Sequence, residues 1–305
     1  MRYLVIVIAC LCLFLLPLEI IKKIPPKAIE STPVNSSACP PVMISVEGLD
    51  KPLELEQYIM GVVQAEMPST FNIEALKAQA IAARTFALKT TNFGATSIKP
   101  TISHQAFISP SERKPPPNIT QAVTETTSQI LTYDNELITA MFFSTSNGKT
   151  ESAQGYSGNE IPYLISTDSV GDTLSPKFSQ KKIFTLKEWN DAFGFSWTDD
   201  HFKALVLKPN ESQRIEKMST IKRDWTGREI REILGLPSTD FEINASNPNL
   251  ITVSTKGYGH GVGMSQYGAN AMAEQESNAE AILNHYYPKT KIKNLQSIQV
   301  GCLKP

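Results

Sequence analysis

Apolar and polar positions alternate along this chain with two different periods, and the switches between them divide it into elements. Leu55, Tyr58, Ile59 and Val62 recur at the three-and-four spacing of one helix face. Pro68 stops that helix soon after residue 66. A second helix is predicted from Asn72, a suitable N-cap, through "IEALKAQAIAARTFALKTT", whose alanines allow close approach of its neighbours. "MISVEG" (43–48) and "LITVSTKG" (250–257) read as strands, and "QILTYDNELITAMFFSTSNGKTE" (129–151) as a hairpin turning near Asp134 and Asn135. Thr185-x-x-Glu188 and Thr226-x-x-Glu229 are capping boxes that open short helices, the second ending at Gly235. "YGHGVGMSQYGANAMAEQ" reads as a glycine-rich turn entering a helix. "RKPPPN" (113–118) reads as a loop, residues 155–181 as irregular, and no internal repeat is present. The expected fold class is α+β, mixed helices and short antiparallel strands, with residues 160–248 as a subordinate lobe.

The N-terminal pattern differs. Tyr3 to Leu18 carries no charge, with Arg2 before it and Glu19, Lys22 and Lys23 after. No small-x-small cleavage pattern follows. Residues 1–23 are therefore expected to be an uncleaved, single-pass membrane anchor, 24–42 a Pro/Ser-rich linker, and 43–305 a domain outside the cytoplasm. Cys39 and Cys302 are the two thiols beyond the apolar run and are expected to pair in that oxidising compartment, tying the domain's ends together.

Composition narrows the function. At 41% hydrophobic and 19% charged, the chain has a folding composition. A net charge of −1 from 29 basic and 30 acidic residues argues against nucleic acid as a partner. "GYGHGVG" does not fit G-x-G-x-x-G, and "GMSQYG" is one residue too long for a nucleophile elbow. His104, His201, His260 and His285 include no pair at i, i+4 spacing, so the sequence argues for no metal site. Glu66 remains. Extending the apolar face of the first helix by four residues lands on this carboxylate, in the last turn. Burial and the negative end of the helix dipole both disfavour its ionisation, which suits a proton donor near neutral pH. A frayed helix end with Glu66 in water is the alternative.

"VVQAEMPSTFNIEALKAQAIAARTFAL" (62–88), "STSNGKTE" (144–151), "PYLISTDS" (162–169) and "HGVGMSQYGA" (260–269), in this order, resemble the stage II sporulation protein D family of lytic transglycosylases. The resemblance covers the chain from about residue 43 onward. It implies cleavage of the β-1,4 bond between N-acetylmuramic acid and N-acetylglucosamine in denuded peptidoglycan strands during endospore engulfment. The products are 1,6-anhydromuramic acid ends. Glu66 matches the family's catalytic glutamate, and no cofactor is required. The implied partners are stage II sporulation proteins P, an amidase, and M, at the septal or engulfing membrane of the mother cell. A non-catalytic peptidoglycan-binding scaffold that activates the amidase is the rival reading. Ser144, Ser146, Asn147, His260, Ser265, Gln266 and Tyr267 are candidate substrate contacts, with a turn or packing role as the alternative for each block. Some relatives bind zinc through cysteines near the histidine matching His104; here "TISHQAFISPSERK" has none, so no metal is expected.

Overall fold

The structure, a computed structural model, describes residues 40–298 apart from Ile102 and Pro248. The expected anchor and the Cys39–Cys302 pair lie outside the described residues. Two short strands, β1 (Met43–Ile44) and β2 (Leu53–Glu54), pair antiparallel and lead into α1 (Leu55–Glu66). The apolar face read from the sequence is the buried one: Leu55, Tyr58, Ile59 and Val62 all lie in the core. Helix α2 (Ile73–Thr90) starts at Asn72, whose side chain accepts from the Glu74 amide. Neighbours surround α2: α1, α3 (Pro117–Glu125), β3 (Gln129–Tyr133) and two later helices all pack on it. A helix enclosed on every side must be apolar and slim. This is why Ala75, Ala78, Ala80, Ala82, Ala83 and Ala87 are all buried.

Arg84 is a buried cation in that alanine helix. Its guanidinium meets both oxygens of Glu56 on α1 (2.9 and 2.6 Å) and donates to the Gln129 carbonyl (3.0 Å). A buried charge is tolerated when it is paired and hydrogen-bonded in this way. The pair locks α1 to α2 and so fixes the platform from which Glu66 projects.

The loop read at 113–118 differs from the structure at its end, because Pro117 opens α3. Proline fits there, where its missing N–H would have no partner in any case. The hairpin is also shorter than its pattern. Strand β3 pairs with β4 (Glu136–Leu137) around Asp134 and Asn135, both at positive φ, and the chain then leaves the sheet. Strand β5 (Phe142–Phe143) follows, then α4 (Ala153–Ser157) and a 3-10 turn at Val170–Leu174.

A second hydrophobic core lies between Phe184 and Val253. Antiparallel strands β6 (Ser179–Thr185), β10 (Asp240–Asn247) and β11 (Leu250–Lys256) form one sheet with β11 central. Strands β7 (Val206–Pro209), β8 (Ile215–Ser219) and β9 (Asp224–Thr226) form another. Helices α5 (Leu186–Phe193), α6 (Asp199–Lys203) and α7 (Gly227–Leu234) complete the unit. Both predicted capping boxes are formed, and Gly235 ends α7 in the left-handed conformation. The chain's three tryptophans, Trp189, Trp197 and Trp225, are all buried in this core.

The chain then returns to the first core. Strand β12 (Met264–Ser265) pairs parallel to β5, so that Met264 faces Phe142 and Ser265 faces Phe143. Helices α8 (Gln266–Glu274) and α9 (Ala279–Tyr286) and strand β13 (Lys291–Asn294), which pairs with β3, follow. Among the described residues no helix is long and apolar enough to cross a membrane.

Candidate active site

Glu66 is the last residue of α1, and Met67 turns the chain into extended backbone. Its side chain is half-buried. Burial pushes its pKa above the ordinary carboxylate range; two hydrogen bonds oppose this without cancelling it. The Ala106 amide donates to Oε1 (2.7 Å), and the Gln266 side chain donates to Oε2 (3.3 Å). The carboxyl group is thus fixed from two sides by neutral donors, and no cation pairs with it among the described residues.

Each donor reaches Glu66 for a local reason. Segment 105–108 lies across α1 at Gly61, where Ile108 N–H donates to the Gly61 carbonyl (3.2 Å) and Phe107 stacks on Tyr58 (ring centroids 5.3 Å apart, planes 15° apart). A side chain at position 61 would occupy the space of Phe107 and the Ile108 carbonyl, so glycine permits the crossing. Tyr58 donates to Gln105 (3.0 Å), which donates to the Ala83 carbonyl (3.2 Å). Burial, with the nearby Glu66 charge second, holds the Tyr58 hydroxyl well above its ordinary pKa. The second donor comes from the first turn of α8, placed by the β5–β12 pairing and by a bond from Tyr267 N–H to the Ser144 carbonyl (3.1 Å).

The candidates from the sequence occupy different places around Glu66 and the junction of the two cores. Gln266 touches Glu66. Tyr267 follows Gln266 in α8, where its N–H donates to the Ser144 carbonyl (3.1 Å) and its ring meets Phe71 edge-on (5.0 Å). Ser146 and Ser265 face inward rather than toward a substrate. Both are fully buried, and their hydroxyls donate to Asp172 (2.5 and 2.6 Å), because the 3-10 turn presents this carboxylate beneath them. Asn147 belongs to the junction of the two cores, donating to the Ser212 carbonyl (2.8 Å) and Asp240 (2.7 Å). In the same junction Arg214 donates to the Lys149 carbonyl (3.0 Å) and lies against Gly261, and Glu151 accepts from Asn210 and Ser212 (2.6 and 2.8 Å).

His260 is held by backbone on both ring nitrogens. Val262 N–H donates to Nδ1 (3.1 Å), which leaves Nε2 to donate to the Phe142 carbonyl (2.9 Å). Burial, reinforced by nearby arginines, lowers its pKa to about 4, consistent with a neutral ring. It borders a cavity of about 440 Å³ at the junction with Tyr156, Arg214 and Arg228; Glu66 does not line this cavity.

Sequence reasoning missed three participants. The Ala106 donor is a backbone amide, which has no signature in the residue type. Phe107 is legible only once Gly61 is seen to receive it. Asp172 stands three residues beyond the "PYLISTDS" block and is fully buried. As for metals, no cluster of three or more His, Cys, Asp or Glu side chains occurs among the described residues. His104 Nδ1 accepts from the Lys99 amide (3.0 Å).

Fold and site together define an α+β protein in which a half-buried carboxylate of raised pKa, Glu66, is held by neutral donors. A family model described as SpoIID, Stage II sporulation protein, matches residues 48–133. Stage II sporulation protein D of Bacillus subtilis (strain 168) is 39% identical over 282 residues, which are 87% of this chain and 81% of that protein. The Bacillus amyloliquefaciens protein of the same name is 38% identical over 89% of this chain and 83% of its own length. A Bacillus subtilis protein named Amidase enhancer is 28% identical over 77% of this chain and 40% of its own length. The chain belongs to the stage II sporulation protein D family.

Proposed function

We propose that this sporulation protein is a peptidoglycan lytic transglycosylase in which Glu66 is both acid and base. The observation that carries the reading is the state of Glu66: half-buried, raised in pKa, and fixed by Ala106 and Gln266. Ordinary glycosidases need two carboxylates, one of them to activate water or attack carbon. Here the buried carboxylate Asp172 is enclosed by serines and Glu151 is taken up by Asn210 and Ser212, so neither is offered to a substrate.

One carboxylate is enough if the sugar supplies its own nucleophile. Protonated Glu66 gives its proton to the glycosidic oxygen as the bond to C1 of N-acetylmuramic acid breaks. The C6 hydroxyl of the same sugar then closes on C1 and returns a proton to Glu66. Atoms balance without water, and the intramolecular attack benefits from proximity. The product is a 1,6-anhydromuramic acid end. We place the enzyme on an extracytoplasmic membrane face, held by residues 1–23, working on strands denuded by the amidase stage II sporulation protein P and alongside stage II sporulation protein M.

The relative named Amidase enhancer favours a second reading, in which the chain binds glycan and raises the activity of an amidase. Denuded glycan strands incubated with the purified full-length chain and with its Glu66→Gln variant separate the two. Cleavage by the wild type and loss of cleavage by a folded Glu66→Gln protein supports the enzyme. Intact strands with both proteins, together with stimulation of an added amidase, supports the enhancer.

A further inference from the structure

Asp172 is the most enclosed carboxylate near the site and has no role in the mechanism above. It lies in the 3-10 turn Val170–Leu174, which packs on α8. Three serines converge on it: Ser265 on Oδ1 (2.6 Å), and Ser146 and Ser169 on Oδ2 (2.5 and 2.7 Å). They come from three separate stretches, 144–151, 162–169 and 260–269.

Backbone donors set the direction of these bonds. Gly148 N–H donates to Ser146 Oγ (3.0 Å), and Gly268 N–H donates to Ser265 Oγ (3.3 Å). A hydroxyl has one proton, and for these two serines it goes to the carboxylate. Ser169 shares its remaining contact with the Tyr286 hydroxyl of α9 (2.7 Å). Asp172 therefore acts as a common acceptor. Burial raises its pKa above the ordinary carboxylate range, and the serine bonds oppose this without cancelling it. The network fills its space completely: a Cβ at Gly268 would overlap the Tyr286 hydroxyl and Ser169 Oγ. A core needs no carboxylate for packing alone, because an apolar side chain fills the same volume without desolvating a charge.

The geometry of the next residue supplies the reason. Ser265 is the N-cap of α8, and Gln266 is its first residue. We propose that Asp172 is a positioning residue for Glu66: by holding Ser265 it fixes the first turn of α8, so that the Gln266 amide meets the Glu66 carboxylate. This inference rests on the assignment of Glu66 made above. The bonds between Ser146 and Asp172 and between Tyr267 and Ser144 brace the same turn from the β5 side, so a shift at Asp172 is not absorbed there.

The test reads Glu66 directly. In the full-length chain with carboxyl-labelled glutamate, the Glu66 resonance is the one missing from the Glu66→Gln spectrum. The Gln266 bond holds the Glu66 pKa down, so its loss raises the titration midpoint. Tyr58 is the titratable group facing Glu66, and Tyr286 and Arg214 are those facing Asp172. Their own shifts are followed in the same spectra by tyrosine and arginine labelling. Asp172→Asn keeps the shape and turns one acceptor into a donor. It is expected to raise the Glu66 midpoint and to lower kcat about tenfold or more with KM within about twofold, on the scale where a misplacement of about 1 Å costs about 100-fold.

A double-mutant cycle with Gln266→Met separates positioning from general loosening. If Asp172 acts through Gln266, Asp172→Asn adds no further midpoint shift in the Gln266→Met background. Additive shifts, or an unmoved midpoint in folded Asp172→Asn, overturn the proposal. Should Asp172→Asn fail to fold, Ser265→Ala removes the Asp172 bond together with the Gly268 cap bond and is expected to move the midpoint in the same direction; no movement overturns the proposal. The titration needs no turnover. A wild type that cleaves nothing would defeat the enzymatic reading, while the midpoint shifts would still decide whether Asp172 and Glu66 are coupled.

Discussion

Gly61→Ala tests how tightly the site's backbone donor is built into the fold. Position 61 is buried on α1, five residues before Glu66, and an added Cβ would stand 2.5 Å from the Ile108 carbonyl oxygen and 2.8 Å from Phe107 Cδ2. Ordinary carbon–oxygen contact needs roughly 3.4 Å, so segment 105–108 must retreat by about 1 Å. The Ala106 N–H···Glu66 bond of 2.7 Å then lengthens beyond hydrogen-bonding range. In a helix interior, alanine is worth about 0.5–1 kcal/mol over glycine. Overpacking costs about 1–3 kcal/mol. The net is a loss of about 1–2 kcal/mol, or a Tm lower by about 2–8 °C for a unit of this size. A bond to a charged acceptor is lost as well, so the Glu66 pKa rises further and the upper limb of the pH–rate profile moves to higher pH. The carboxyl group is also less fixed, and kcat falls. Trimming Phe107 to leucine does not by itself rescue the variant, because the Ile108 carbonyl obstructs the added methyl as well as the ring does. Calorimetry and the pH–rate profile are the assays. A raised Tm with unchanged kcat would mean that segment 105–108 is not seated on Gly61 as described.

Three further outcomes are expected. Glu66→Gln changes the pH dependence of stability: because burial raises the native pKa, the native wild type holds a proton that the unfolded chain releases, and wild-type stability falls as pH rises from about 4 through the raised value. The Gln variant loses that slope, so its Tm advantage should grow across this window and then level off; parallel melting curves at every pH would refute it. His260→Ala removes two backbone bonds and a half-buried ring, at a cost of about 2–4 kcal/mol by denaturant unfolding, while the folded fraction keeps its kcat; a large drop in kcat at unchanged stability would assign the ring to the reaction. Exhaustive chelation should leave cleavage intact, as the stretch around His104 has no cysteine; loss restored by zinc alone would overturn this.

What the sequence revealed was local, and what it hid was long-range. The face of α1, the Asn72 cap, the Thr185 and Thr226 capping boxes and the Asp134–Asn135 turn depend on residues within a few positions of each other. Their chemistry leaves few alternatives. Glu66 was legible for the same reason: it breaks an apolar period. The frame around it was not. The parallel pairing of Phe142–Phe143 with Met264–Ser265 joins segments more than a hundred residues apart, with nothing in either to announce the other. A serine does not say which way its hydroxyl faces. Ser146 and Ser265 read as cleft residues until Asp172 is found beneath them. Asn147 reads as a turn or contact residue until the second core supplies Ser212 and Asp240. The three prolines before residue 118 signalled a loop, and only packing of Ile119, Ala122 and Val123 carries the chain on into α3.

The central claim is that Glu66 works alone because the sugar's C6 hydroxyl replaces water. Cleaving denuded strands in water enriched in heavy oxygen, then weighing the new N-acetylmuramic acid ends, tests it most directly. The account predicts ends lighter by one water than a hydrolytic product and free of the heavy isotope, and no such ends from Glu66→Gln. New reducing ends carrying one heavy oxygen would contradict it, because water would then have been the nucleophile and a second catalytic group would have to activate it.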